Sequence, residues 1–136
     1  MISEVRTEGL ESKLARTVHD YFIEGYRRTG RTTLRDFSGT PVQGSEDLSA
    51  AFQLFVREGT VTRVEYRCSS CVTLVALCEH VAQHLVGQPV EIVRALKPEL
   101  LATWHPEVPR SHQNRSHLVI RAVRYAFDQF QNQEPT

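Results

Sequence analysis

Apolar and polar positions alternate with a period of two over 51–56, where Phe52, Leu54 and Val56 stand against Gln53, Phe55 and Arg57. Arg57, Glu58 and Gly59 supply a turn. The alternation then resumes over 60–68, with Thr62, Val64, Tyr66 and Cys68 on one side and Arg63, Glu65 and Arg67 on the other. Successive side chains of a strand point to opposite faces, so the pattern predicts a β-hairpin with one solvated face. At Cys71 the period changes. Cys71, Leu74, Val75, Cys78, Val81, Ala82 and Leu85 fall at helical spacing, and Gly87 supplies a stop.

Pro89 and Pro98 each suit the first turn of a further short helix. The stretch HPEVPRSHQ reads as a loop. A closing amphipathic helix follows, with its stripe through Val119, Ala122, Val123, Ala126, Phe127 and Phe130. Upstream, Leu10, Leu14, Val18, Tyr21 and Phe22 predict a first helix that ends around Gly25 to Gly30. A short strand is expected over 32–37, before the turn-rich SGTPVQGSED. Three strands followed mainly by helices predict an α+β domain, a three-stranded antiparallel sheet packed against helices. There is no internal repeat and no linker, so the 136 residues read as a single domain, with 1–17 as an N-terminal helical extension.

Lys and Arg number 16, as do Asp and Glu, and the formal net charge is zero. That balance excludes the usual nucleic-acid binder, whose basic excess neutralises phosphates. The local run of Arg27, Arg28 and Arg31 reads as a solvated loop. MISEVRTEGLESKLAR has early acids and no apolar stretch, so no secretory leader is expected. Nothing approaches the ~20 apolar residues of a membrane span. A cytoplasmic protein without membrane or nucleic-acid partners is therefore expected. The 3 cysteines, Cys68, Cys71 and Cys78, are clustered and odd in number, which predicts reduced thiols, not a disulfide framework.

Cys71 opens a helix directly after a strand. Unpaired backbone N–H groups and the positive end of the helix dipole there favour a thiolate, which is both a sulfur nucleophile and a metal ligand. Cys68 completes a C-x-x-C spacing that can put two sulfurs on one metal; its other reading is a small apolar residue on the buried strand face. Cys78 sits in the apolar stripe and reads as core. His80 and His84 fall off that stripe and read as exposed polar residues. Taken together, C-x-x-C-x6-C-x-H resembles a SWIM-type zinc finger. Helical rise argues against it, because it puts Cys78 about 10 Å from Cys71, beyond the reach of one tetrahedral zinc.

The segment GTVTRVEYRCSSCVTLVALCEHVAQHLVGQPVEIVRAL resembles the NifU/IscU scaffolds of iron–sulfur cluster assembly. Cys71 matches that family's cysteine at a helix start, and Gly87-Gln88 its Gly-Lys. The stretch VPRSHQNRSHLVIRAVRYAF matches its Pro, His-Cys-Ser and last helix, and SED matches its Cys-Gly-Asp turn. The likeness covers nearly the whole chain and implies the SufE/NifU sandwich. It implies a non-enzymatic scaffold or carrier that binds iron or an iron–sulfur cluster, or accepts sulfur at Cys71. By the same likeness, partners would be a cysteine desulfurase and an apo-protein or chaperone recipient.

The family's metal ligands carry over incompletely. Its three cysteines fall on Ser45, Cys71 and Arg115, its aspartate on Asp47 and its histidine on Asn114. Only Cys71 and Asp47 keep the ligand, so a metal site, whether for iron, a cluster or zinc, would have to recruit Cys68 as a third donor. Arg115 is expected to point inward and pair with Asp47, which puts a cation where the family binds metal. Two other readings stand beside this one: a metal-free member kept for protein interaction, and the SWIM-like zinc module.

Overall fold

The computed structural model describes residues 16–29 and 37–133. Among them the order is α1 (Val18–Thr29), β1 (Val42–Gln43), β2 (Ser49–Arg57), β3 (Thr60–Cys68), α2 (Val72–Leu85), α3 (Pro98–Trp104) and α4 (Asn114–Gln133), with 3-10 turns at Val90–Ala95 and Arg110–His112. The strands make one antiparallel sheet in the order β1-β2-β3. The fold is therefore the expected α+β class. The sheet's third strand, however, is Val42–Gln43. Positions 32–36 of the strand expected over 32–37 lie outside the described residues, as does most of the extension over 1–17. Phe37 itself is not in a strand.

The hairpin closes on Glu58 and Gly59, both at positive φ (53 and 78) between the paired Arg57 and Thr60. Such a two-residue turn matches the right-handed twist of the strands it joins. The register shifts between Phe55 and Val56, leaving Thr62 as the extra residue of a bulge, with its hydroxyl donating to the Phe55 carbonyl at 3.0 Å. The simple alternation had placed Thr62 on the inner face. The bulge reverses that, burying Val61 and exposing Thr62. Beyond it Val64 and Tyr66 point inward as the period of two requires, and Phe52 lies opposite Tyr66.

Helix α2 is buried on more than its predicted stripe: Thr73, Ala76, Leu77 and Glu79 are inside along with Leu74, Cys78, Val81, Ala82 and Leu85. It packs on β3, with α1 and α4 against it, and the inward residues of all these elements make one core. Gly25 lies inside the first helix, which ends at Thr29 within the expected range. Its role is close approach. A Cβ there would run into the Tyr66 hydroxyl and come within 2.9 Å of Val75.

Beside Gly25 a buried carboxylate is fully engaged. Glu79, 2% exposed, accepts from Tyr66 Oη at 2.8 Å, from Arg28 Nε at 3.1 Å and from Gln83 Nε2 at 2.8 Å. Arg28 also donates to the Val64 carbonyl, so this cluster ties α1 to both α2 and β3. Burial and the neighbouring Cys78 and Glu79 push the Tyr66 hydroxyl far above its ordinary range, which keeps it a donor.

After α2, Gly87 at φ 87 turns the chain back onto the hairpin. Its N–H donates to Val61 O at 2.8 Å, Val61 N–H donates to Gln88 O at 2.9 Å, and Val90 N–H donates to Gly59 O at 2.8 Å. The far end of α2 is thereby fastened to the hairpin tip. Pro89 and Pro98 begin the Val90–Ala95 turn and α3 as expected.

Candidate functional site

Strand β3 ends on Cys68, Ser69 and Ser70 make a bend, and Cys71 is the N-cap of α2 with φ −141 and ψ 123. The bend is held from β2: Ser69 N–H donates to Ser49 O at 3.0 Å, and Ser49 N–H donates to Ser69 Oγ at 2.8 Å. Cys71 makes no side-chain cap. Its thiol is half-buried, as is that of Cys68, and both pack against the core. Cys78 is fully buried, as its place in the stripe predicted. Its thiol abuts that of Cys68 and lies within electrostatic reach of Cys71; burial, with these neighbours, pushes it well above the ordinary thiol range. Of the three sulfurs, Cys68 and Cys78 are thus the neighbouring pair, and Cys71 stands at the junction itself.

Arg115, in the first turn of α4, points inward and is 7% exposed. Its partner is not the expected Asp47. Arg115 Nη1 donates to Glu46 Oε2 at 2.9 Å and to Asn114 Oδ1 at 2.8 Å, while Asn114 Nδ2 donates to the same Glu46 oxygen at 2.9 Å. The reason is the turn. Glu46 and Asp47 both hold left-handed backbone (φ 58 and 60), closed by Leu48 N–H to Ser45 O at 3.1 Å and Gly44 N–H to Leu48 O at 2.7 Å. Consecutive residues in that conformation do not share a direction, and Glu46 is the one aimed at α4. Ser45 and Asp47 are exposed on the same turn.

The guanidinium also lies beside the Cys71 sulfur. Burial lowers the Arg115 pKa, but Cys71 and Glu46 together hold it above its ordinary value. Glu46 in turn is held below the usual carboxylate range, first by the Asn114 hydrogen bond and then by the Arg115 charge. Arg115 Nε is buried with no hydrogen-bond partner, which leaves one N–H of the guanidinium unused. Across the first turn of α2, Thr73 Oγ1 approaches His112 Nδ1 at 3.4 Å.

The structure therefore brings Cys68, Cys71, Asn114 and Arg115 into one neighbourhood, with Ser45 and Asp47 at its rim. Among the described residues no three His, Cys, Asp or Glu side chains are grouped to hold a metal ion. A guanidinium on the Cys71 sulfur suits an anion, and a cation next to it would be repelled. As arranged, the donors do not fit iron, zinc or a cluster.

Two features escaped the sequence reading. Glu46 was overlooked because a fold-level match singled out the aspartate beside it. His80 and His84 are not free surface residues. His80 is sandwiched between Tyr21 (ring centroids 4.1 Å) and Trp104 (4.0 Å), and its Nδ1 meets His105 Nε2 at 2.7 Å. His84 leans on Trp104. Helices α1 and α3 cover the polar flank of α2, which periodicity within one helix does not report. No helix among the described residues is long and apolar enough to cross a membrane.

No family model and no curated protein matches the chain. Among solved structures, it superposes on the N-terminal part of a nitrogen-fixing NifU-like protein from Brucella abortus, with a TM-score of 0.59 at 15% identity, over 84% of this chain and 94% of that one. The chain has a NifU-like fold.

Proposed function

We propose that this protein is a sulfur carrier of iron–sulfur cluster assembly, which accepts one sulfur atom on Cys71 and hands it on without itself catalysing the chemistry of cluster formation. The NifU-like fold supports the setting. The carrying observation is Arg115, a buried guanidinium close enough to Cys71 to feel its thiol, at the position where the resembling family has a third cysteine.

The chemistry follows from that substitution. Attack of the Cys71 sulfur on the outer sulfur of a donor persulfide leaves a donor thiolate and a Cys71 persulfide anion. The unused Arg115 Nε–H and its fixed charge can hold the new anionic sulfur, a role that a cysteine at 115 could not perform. Asn114 and Glu46 keep the guanidinium in place from its other side. The partly buried junction limits attack by water and small thiols. Iron and any cluster would then be assembled elsewhere, on a recipient apo-protein or through a chaperone, with a cysteine desulfurase as the donor.

Incubation with a cysteine desulfurase and cysteine, followed by intact mass, tests this. Wild type, sampled at early times, should gain the mass of one sulfur atom, and Cys71→Ser should gain none. Arg115→Ala should load but lose its sulfur faster. Failure of the wild type to load would leave the fold as a protein-interaction module.

A further inference from the structure

We infer that Cys68 is the thiol that unloads Cys71: it attacks the Cys71 persulfide at the inner sulfur, expels hydrosulfide and closes a Cys68–Cys71 disulfide. This rests on the sulfur-carrier reading and adds the step by which the cargo leaves. Cys68 is the last residue of β3 and Cys71 the cap of α2, with only the Ser69-Ser70 bend between them. Both thiols are half-buried and pack against the core. The fastening of Ser69 to Ser49 anchors Cys68, so the loaded side chain of Cys71 has a fixed partner three residues away. A C-x-x-C spacing at a helix start is the arrangement in which one thiol resolves what the other has taken up.

Cys78 is unsuited to this task. It is fully buried in the middle of α2, and a nucleophile must be reachable by the persulfide it attacks.

The step balances. Cys71–Sγ–S⁻ and Cys68–SH give Cys68–Sγ–Sγ–Cys71 and HS⁻. The bond between Cys71 Sγ and the outer sulfur breaks, and its electron pair leaves with the outer sulfur, which also receives the Cys68 proton. Cys68 is oxidised to a disulfide as the outer sulfur is reduced to sulfide. Arg115, already on that anion, faces the departing hydrosulfide. A dithiol reductant would reset the pair.

The full chain, loaded anaerobically with inorganic polysulfide and desalted, provides the test. Wild type should release hydrosulfide in equimolar amount without added thiol, and peptide mapping should then find a Cys68–Cys71 disulfide. Cys68→Ser and Cys68→Ala should load normally but release at least about tenfold more slowly, whereas Cys78→Ala should release as wild type does. A disulfide to Cys78, release from both Cys68 variants at the wild-type rate, or a wild type that loads and never releases would overturn the unloading role alone. A wild type that does not load at Cys71 would overturn the carrier reading and this step together.

Discussion

His80 Nδ1 and His105 Nε2 face each other at 2.7 Å, inside a cage whose walls are Tyr21 of α1 and Trp104 of α3. Burial pushes His80 down to about 3, with the opposing His105 and His84 adding to it. Burial also lowers His105, although Glu107, 3.4 Å away, offsets part of this. Both groups therefore bind fewer protons when folded than when unfolded below their ordinary pKa near 6.5. Stability should be complete above pH 6.5 and fall progressively toward pH 3. Because Glu107 Oε2 accepts from Val18 N–H at 2.9 Å, α1 should be the first element to loosen. Urea melts between pH 7 and 4 would show the slope. His80→Phe keeps the stack and should flatten it, and an equally steep slope in that variant would remove the histidine pair as its cause.

Gly25 and Tyr66 should be energetically coupled. Gly25→Ala forces a methyl onto the Tyr66 hydroxyl and toward Val75, and should cost ~1–3 kcal/mol. Tyr66→Phe removes one of the donors to the buried Glu79 and should cost ~1–2 kcal/mol. In the double variant the hydroxyl that the added methyl would strike is absent, so the loss should be smaller than the sum. Chemical denaturation of the four proteins closes this cycle, and simple additivity would contradict the contact.

Restoring thiols at 45 and 115 should build a metal site. Arg115→Cys removes the cation beside Cys71 and releases Glu46 from its ion pair; adding Ser45→Cys supplies another sulfur on the facing turn. Zinc affinity under reducing conditions should rise at least about tenfold, a gain of ~1.4 kcal/mol or more. Ser45→Cys alone should gain much less, because the guanidinium stays. Tight binding of one zinc by the unaltered chain, with nothing added by the double substitution, would mean that Cys68 or another group already completes a site.

Thiol labelling should separate the cysteines by access. Cys71 is half-exposed and Cys78 has no exposed surface. Native alkylation at neutral pH should modify Cys71 at least about tenfold faster than Cys78, with the difference lost in denaturant. Equal native rates would deny the burial that singles out Cys71.

The hairpin, the helix change at Cys71 and the closing helix were legible because alternation and helical spacing follow directly from burial on one face. Thr62 was misplaced because a bulge is a pairing event between two strands, and no run within a single strand reports it. The end of the first helix within 25–30 was legible, but the packing of Gly25 was not, since a glycine in a sequence does not reveal whether it serves a turn or an approaching side chain. Similarly, Arg115 was correctly expected to turn inward, but its choice of Glu46 over Asp47 depends on backbone angles in the opposing turn. The face of α2 bearing His80 reads as polar, and only the arrival of α1 and α3 makes it an interior.

The unequal fastening of α2 sets where the junction can give. At its exit the chain is stitched to the hairpin tip through Gly87, Gln88 and Val90, whereas at its entry it is joined to the sheet by a two-residue bend and begins on an uncapped cysteine. A load applied at Cys71, such as a docking protein pulling on its sulfur, therefore meets a lever hinged at the far end. Because Ser69 is held to Ser49, the compliance is confined to Ser70 and the uncapped start of the helix, and the fully buried Leu74 marks its limit.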